Sequence, residues 1–127
     1  MTKYDKLVPR FLDYVKVETR SDRESTTIPS THSQVEFAQK LAAELTAIGL
    51  GNVRISAKSG YVFAELKSNL ADDTGVKKVG FLAHMDTADF NATDVKPQII
   101  ENYDGQSDIK LDPAGAYVLS PAEFPSL

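Results

Sequence analysis

The stretch Val79-Gly80-Phe81-Leu82-Ala83-His84-Met85-Asp86-Thr87 decides how this chain is read. Its first five residues are apolar without alternation, the pattern of a strand covered on both faces rather than one with a wet side. Such a strand needs layers above and below it, so it points to an α/β layered domain. Polar residues begin only at His84, where the strand is predicted to end.

Upstream of this run the period is helical. Tyr4, Leu7, Val8, Phe11, Leu12 and Val15 recur at the spacing of an amphipathic first helix. Thr19 to Ser30 is polar and reads as a surface loop. Thr31 and Gln34 then have the spacing of a capping box, and Val35, Ala38, Leu41, Ala42, Leu45 and Ile48 continue as the apolar face of a second helix. Gly49 and Gly51 suit its end. Beyond it, Val53 and Ile55 alternate with polar neighbours and Tyr61 to Leu66 forms a second short β-type run, with Lys58-Ser59-Gly60 as a hairpin turn between them. Ala71-Asp72-Asp73-Thr74-Gly75 is another turn. Downstream, Val95 to Ile100 and Ile109 to Leu119 are each expected to supply a strand, separated by the turn Asn102-Tyr103-Asp104-Gly105. The expected class is therefore α/β, two helices followed by a mixed β-sheet.

Composition narrows the function classes. The 127 residues suit one small domain, and 42% of them are apolar, enough for a packed core. A net charge of -4 with scattered lysines gives no electrostatic reason to expect nucleic acid or an anionic membrane as a partner. With no cysteine, disulfides, thiolate metal ligands and a cysteine nucleophile are excluded. The first twenty residues carry charges every few positions and hold no signal-peptide core, and no window is apolar enough to span a bilayer. A soluble, cytoplasmic protein is expected, and Asn91-Ala92-Thr93 is read as a chance tripeptide rather than a glycosylation site.

The chemical candidate is His84 with Asp86. Residues two apart in a strand lie on one face, and sites in open α/β sheets sit at the carboxyl ends of strands. A neutral imidazole is a good zinc ligand, and a neighbouring carboxylate fixes its ring and tautomer. A histidine that merely ends a strand and bonds a loop fits the same spacing, so both readings stand at this point. His32, the other histidine, reads as a solvated residue at a helix start. Asp72-Asp73 reads as a turn, and Asp89 and Asp94 as loop residues. Neither a phosphate-binding glycine loop nor a Gly-x-Ser-x-Gly elbow is present.

A wider pattern extends this reading. Pro29-Ser30-Thr31 with Gln34, the block Val79 to Thr87, the block Pro97-Gln98-Ile99-Ile100-Glu101-Asn102-Tyr103-Asp104-Gly105, and Leu119-Ser120-Pro121 with Phe124-Pro125 resemble, in order and rough spacing, the N-terminal region of the peptidase T family of dizinc exopeptidases. The resemblance spans essentially the whole chain. It implies a cytoplasmic metallo-aminopeptidase acting on tripeptides, with two zinc ions in an α/β catalytic domain and a smaller inserted dimerisation domain through which a homodimer forms. It implies that His84 ligates one zinc and that Asp86 is the active-site acid supporting it. Residues 1–127 are then expected to be the N-terminal portion of the catalytic domain, truncated and without the dimerisation domain.

Members of that family run to several hundred residues. The bridging aspartate, the glutamate pair supplying a general base and a ligand, a further aspartate and a distal histidine are expected beyond Leu127. Gln106-Ser107 also departs from the family's glycine-rich turn. The chain alone is therefore expected to be inactive and largely metal-free, with part of its sheet uncovered. The alternatives are a related dizinc dipeptidase or acyl-amino-acid deacylase, which share the His-x-Asp element, and a non-catalytic α/β binding module.

Overall fold

Why α2 starts and stops where it does explains most of the ordered structure in the computed structural model, which describes residues 4–127. Thr31 is extended at φ -134° and ψ 151°, and the helix runs over His32–Ala47. Its end is a Schellman motif: Gly49 takes φ +93°, its N–H donates to the Thr46 carbonyl, and the Leu50 N–H donates to the Leu45 carbonyl. The capping box expected at its start does not form. Thr31 makes no side-chain cap and instead donates its hydroxyl to the Arg20 carbonyl at 3.0 Å, while Gln34 turns inward to the loop before the helix. The helix start lies where expected and the bonding differs, because carbonyls in that loop compete for the same side chains.

The first helix, α1, spans Leu7–Tyr14, with Pro9 tolerated in its first turn. It is tied to α2 through side chains. Arg10 and Tyr14 both donate to the Glu44 carboxylate, Lys40 meets Asp13 at 2.7 Å, and Tyr14 packs edge-on against Phe37 with ring centroids 5.2 Å apart. Much of the apolar stripe that marked this helix, Leu7, Val8 and Phe11, remains exposed.

Strands β1 (Gly51–Ile55) and β2 (Val62–Glu65) pair antiparallel, closed by the turn predicted at residues 58–60. The register shifts between Gly51 and Arg54, next to Asn52 at φ +51°. Helix α2 packs on this hairpin, and the best-buried apolar side chains lie on the helix, Phe37 at 6% and Ala38 at 0% exposure.

The central strand is the main correction. Residues 79–83 form no strand, and Phe81 and Leu82 are 96% and 92% exposed. An apolar run records the burial a segment is suited to, and among the described residues no ladder partner or covering layer reaches this one. Just downstream, an isolated parallel bridge joins Arg20 and Thr87. The α/β class holds; among the described residues parallel pairing is confined to that bridge, and both named sheets are two-stranded and antiparallel.

The contacts divide the chain after Pro97. In the unit 98–127, the expected strand over Ile109 to Leu119 folds on itself as β3 (Ile109–Lys110) and β4 (Val118–Leu119). Asp112 closes the loop, its Oδ1 and Oδ2 accepting from the Ala114 and Tyr117 amides at 2.8 and 2.7 Å. Val95 to Ile100 forms no strand. The turns at 71–75 and 102–105 are present, with Asp72 and Asp104 side chains accepting from the Thr74 and Gln106 amides.

Candidate metal centre

Two chain segments meet at the candidate residues. The Thr87 amide donates to the Thr19 carbonyl at 3.0 Å and the Ser21 amide donates to the Thr87 carbonyl at 2.9 Å. This stitch sets the loop after α1 beside the segment carrying His84 and Asp86. A second tie reinforces it, Arg20 to Asp89, with Nε donating to Oδ1 at 2.8 Å.

The structure brings the two predicted residues into contact. His84 Nδ1 lies 2.9 Å from the Asp86 carbonyl oxygen and 3.1 Å from Asp86 Oδ1. Both partners only accept, so Nδ1 carries a proton, and in the neutral ring Nε2 is left with a free lone pair. With 83% of its side chain exposed, that nitrogen is accessible. This is the tautomer a metal-binding histidine needs, held by a carboxylate in the way such ligands are usually held.

Asp86 is fixed from its other side. Ser21 Oγ donates to Asp86 Oδ2 at 2.5 Å, and this bond, with His84 adding to it, holds the carboxyl below the usual carboxylate range against the opposing effect of partial burial. Asp86 is therefore anionic at neutral pH. A groove of about 480 Å³ adjoins the pair, lined by Phe63, Phe81, Leu82 and Pro29 among others.

The other sequence assignments fall into place without joining the site. His32 is exposed and faces Glu36 across one helical turn at 3.5 Å. Asp94 pairs with Lys96, and Asp72 serves its turn. Among the described residues, no group of three or more His, Asp or Glu side chains is gathered to hold a metal ion by itself. The donor set thus fits one corner of a metal centre and not a closed site. Among the described residues, no helix is long and apolar enough to cross a membrane.

Sequence reasoning missed Ser21 and Gln34. Ser21 sits in a polar loop whose spacing says nothing about position 86, and Gln34 was assigned to a helix cap. The only available signal was the resemblance block containing Gln34, which singles out the residue and not its bonds.

No family model matches the chain. Curated relatives do. Peptidase T of Ligilactobacillus salivarius is 66% identical over 127 residues, which is 100% of this chain and 31% of that protein. Peptidase T of Latilactobacillus sakei is 58% identical over the same length, 30% of that protein, and peptidase T of Enterococcus faecalis is 55% identical over 124 residues, again 30% of its length. The chain thus spans a little under one third of the relatives it matches.

Proposed function

We propose, from the premise that this chain is homologous over its whole length to an N-terminal portion of peptidase T, that it supplies one corner of the catalytic centre of a zinc-dependent aminopeptidase acting on tripeptides. The observation that carries the reading is the match itself, unbroken along the chain at 66% identity. The His84–Asp86 geometry supports it independently, because a neutral histidine with a free Nε2 and a carboxylate on Nδ1 suits a zinc ligand.

Within that reading, His84 would hold the metal through its free ring nitrogen, and Asp86 keeps the ring oriented and its proton on Nδ1. Asp86 stays ionised, so it also offsets positive charge at the centre. Zinc, when bound, polarises a peptide carbonyl and lowers the pKa of a bound water. Among the described residues no three such side chains are gathered, so the remaining ligands and the general base are proposed to come from other parts of the whole protein. The whole protein is proposed to be cytoplasmic and homodimeric, with short peptides as substrates, and residues 1–127 to be the first portion of its catalytic domain.

The test is an assay of N-terminal residue release from a tripeptide, by the 127-residue chain and by a protein extended to the length of the relatives. Release by the extended protein, lost with a chelator and restored by zinc, is expected, with none from the chain alone. Hydrolysis of dipeptides or acyl-amino acids in preference to tripeptides would move the assignment to a related exopeptidase. Failure of the zinc-loaded extended protein on all of these substrates would overturn it.

A further inference from the structure

We propose that Ser21 is a positioning residue for the His84–Asp86 pair, its hydroxyl proton directed onto Asp86 by the buried Gln34. Its functional meaning rests on the reading of His84 as a metal ligand, but its geometry stands apart from that reading.

The direction of each bond follows from what the atoms can donate. Gln34 is 5% exposed, and its Nε2 lies 3.2 Å from the Thr19 carbonyl oxygen, 3.3 Å from that of Arg20 and 3.1 Å from Ser21 Oγ. Turned the other way, its amide oxygen would face two carbonyl oxygens with no proton between them, so the amide orientation is forced. Gln34 therefore donates toward Ser21, whose Oγ accepts there and keeps its own single proton to give away. The recipient is Asp86 Oδ2 at 2.5 Å. Asp86 Oδ1 is left facing His84 Nδ1 at 3.1 Å. One carboxylate is thus gripped at both oxygens, by a hydroxyl from the loop after α1 and by the imidazole it orients.

Each end of this chain of bonds is anchored. Gln34 lies on α2 beside Phe37 and Ala38, the best-buried part of the unit. The Ser21 backbone is bonded to Thr87, the residue after Asp86. Without the hydroxyl, Asp86, whose side chain is 43% exposed, is free to turn Oδ2 toward water and take Oδ1 off the ring. The side-chain partners of the Ser21 hydroxyl are Asp86 and Gln34, and His84 is not among them. Ser21 acts through Asp86 alone.

The readout is the tautomer of His84, measured from its ring nitrogens by NMR on the histidine-labelled chain at a pH above the imidazole's titration. His32, exposed and facing Glu36, is the internal reference. In the unsubstituted chain the Nδ1–H form dominates at His84. Ser21→Ala is expected to lower the ratio of Nδ1–H to Nε2–H by roughly fivefold, the factor that corresponds to about 1 kcal/mol of hydrogen bond. Ser21→Thr, which keeps the hydroxyl, is expected to retain it. An unchanged ratio in Ser21→Ala with the amide spectrum intact overturns the proposal. Should Ser21→Ala unfold, Ser21→Thr and Ser21→Val decide instead, because they share a shape and differ only in the hydroxyl. Asp86→Ala separates the two readings. If it lowers the ratio while Ser21→Ala does not, Ser21 loses its role and the His84–Asp86 pair stands. If neither substitution moves it, the Asp86 backbone carbonyl, 2.9 Å from Nδ1, holds the proton by itself, and the roles of the Asp86 carboxylate and of Ser21 are both overturned.

Discussion

Thr19 and Thr87 are joined through their backbones, the Thr87 amide donating to the Thr19 carbonyl at 3.0 Å, and on this contact depends whether the two halves of the candidate site meet at all. The return bond, from the Ser21 amide to the Thr87 carbonyl, makes the pair a bridge rather than a single contact. Amide hydrogen exchange is expected to show Ser21 and Thr87 protected, while Phe81 and Leu82, unpaired and exposed, exchange near the rate of an open chain. Equal exchange at all four amides would mean that the bridge does not persist in solution.

Glu44 joins the two helices by accepting from both Arg10 and Tyr14. Its removal leaves two donors without their shared partner. Glu44→Ala is expected to lower unfolding free energy by about 1–2 kcal/mol, and Lys40→Ala, which breaks the more exposed pair with Asp13, by less than about 0.5 kcal/mol. Urea denaturation of the two variants side by side gives the comparison, and equal losses would remove the special role of Glu44.

The same cluster has a pH signature at each end. The Tyr14 hydrogen bond first, and then Arg10, hold Glu44 below its ordinary 4.5. Its contribution to stability is therefore present above that value and is lost as pH falls through the lower folded value. Tyr14 is pushed the other way, from 10.0 up to about 12, by burial and then by the Glu44 bond. That contribution is present below pH 10 and is lost as pH rises through about 12. A phenolate absorbance titration, differenced against Tyr14→Phe, is expected to show one tyrosine ionising near 12.

What the sequence made legible follows from how local each signal is. Helix α2 was readable because its apolar period, its start at Thr31 and its glycine stop are all written within a few residues of where they act. The β1–β2 hairpin was readable for the same reason. The run 79–83 was misplaced because its apolarity reports the environment a strand wants, and the environment is a property of other segments. The site divides along the same line. His84 and Asp86 are two apart and were paired from spacing, whereas Ser21 reaches Asp86 across 65 positions, and no local pattern encodes a contact made by folding.

Two glycines separate steric room from backbone conformation. Gly60 has φ +69°, and a Cβ there would stand 2.4 Å from Cγ of the Pro29 ring. Gly75 has φ +79° with nothing within 4 Å. Both substitutions to alanine carry the left-handed cost of roughly 1–2 kcal/mol, and Gly60→Ala adds a clash with a ring that cannot swing aside. Thermal or urea unfolding is expected to rank Gly60→Ala clearly below Gly75→Ala, and the reverse order would contradict the packing of the hairpin turn on Pro29.

The metal corner makes a quantitative demand of its own. One imidazole nitrogen, with no group of three donors gathered among the described residues, gives a binding free energy far below that of a closed site, where four ligands yield about 10–16 kcal/mol. For the 127-residue chain we expect zinc dissociation on the order of 1 mM, equivalent to about 4 kcal/mol. Zinc titration followed at the histidine ring nitrogens should perturb His84 Nε2 before it perturbs His32, because the Nδ1 proton of His84 is already held by Asp86. His84→Ala should abolish the first perturbation and leave that at His32 unchanged. Zinc retained at one equivalent through dialysis would mean that the chain closes a site by itself, and selective perturbation of His32 would place the metal contact on the wrong histidine.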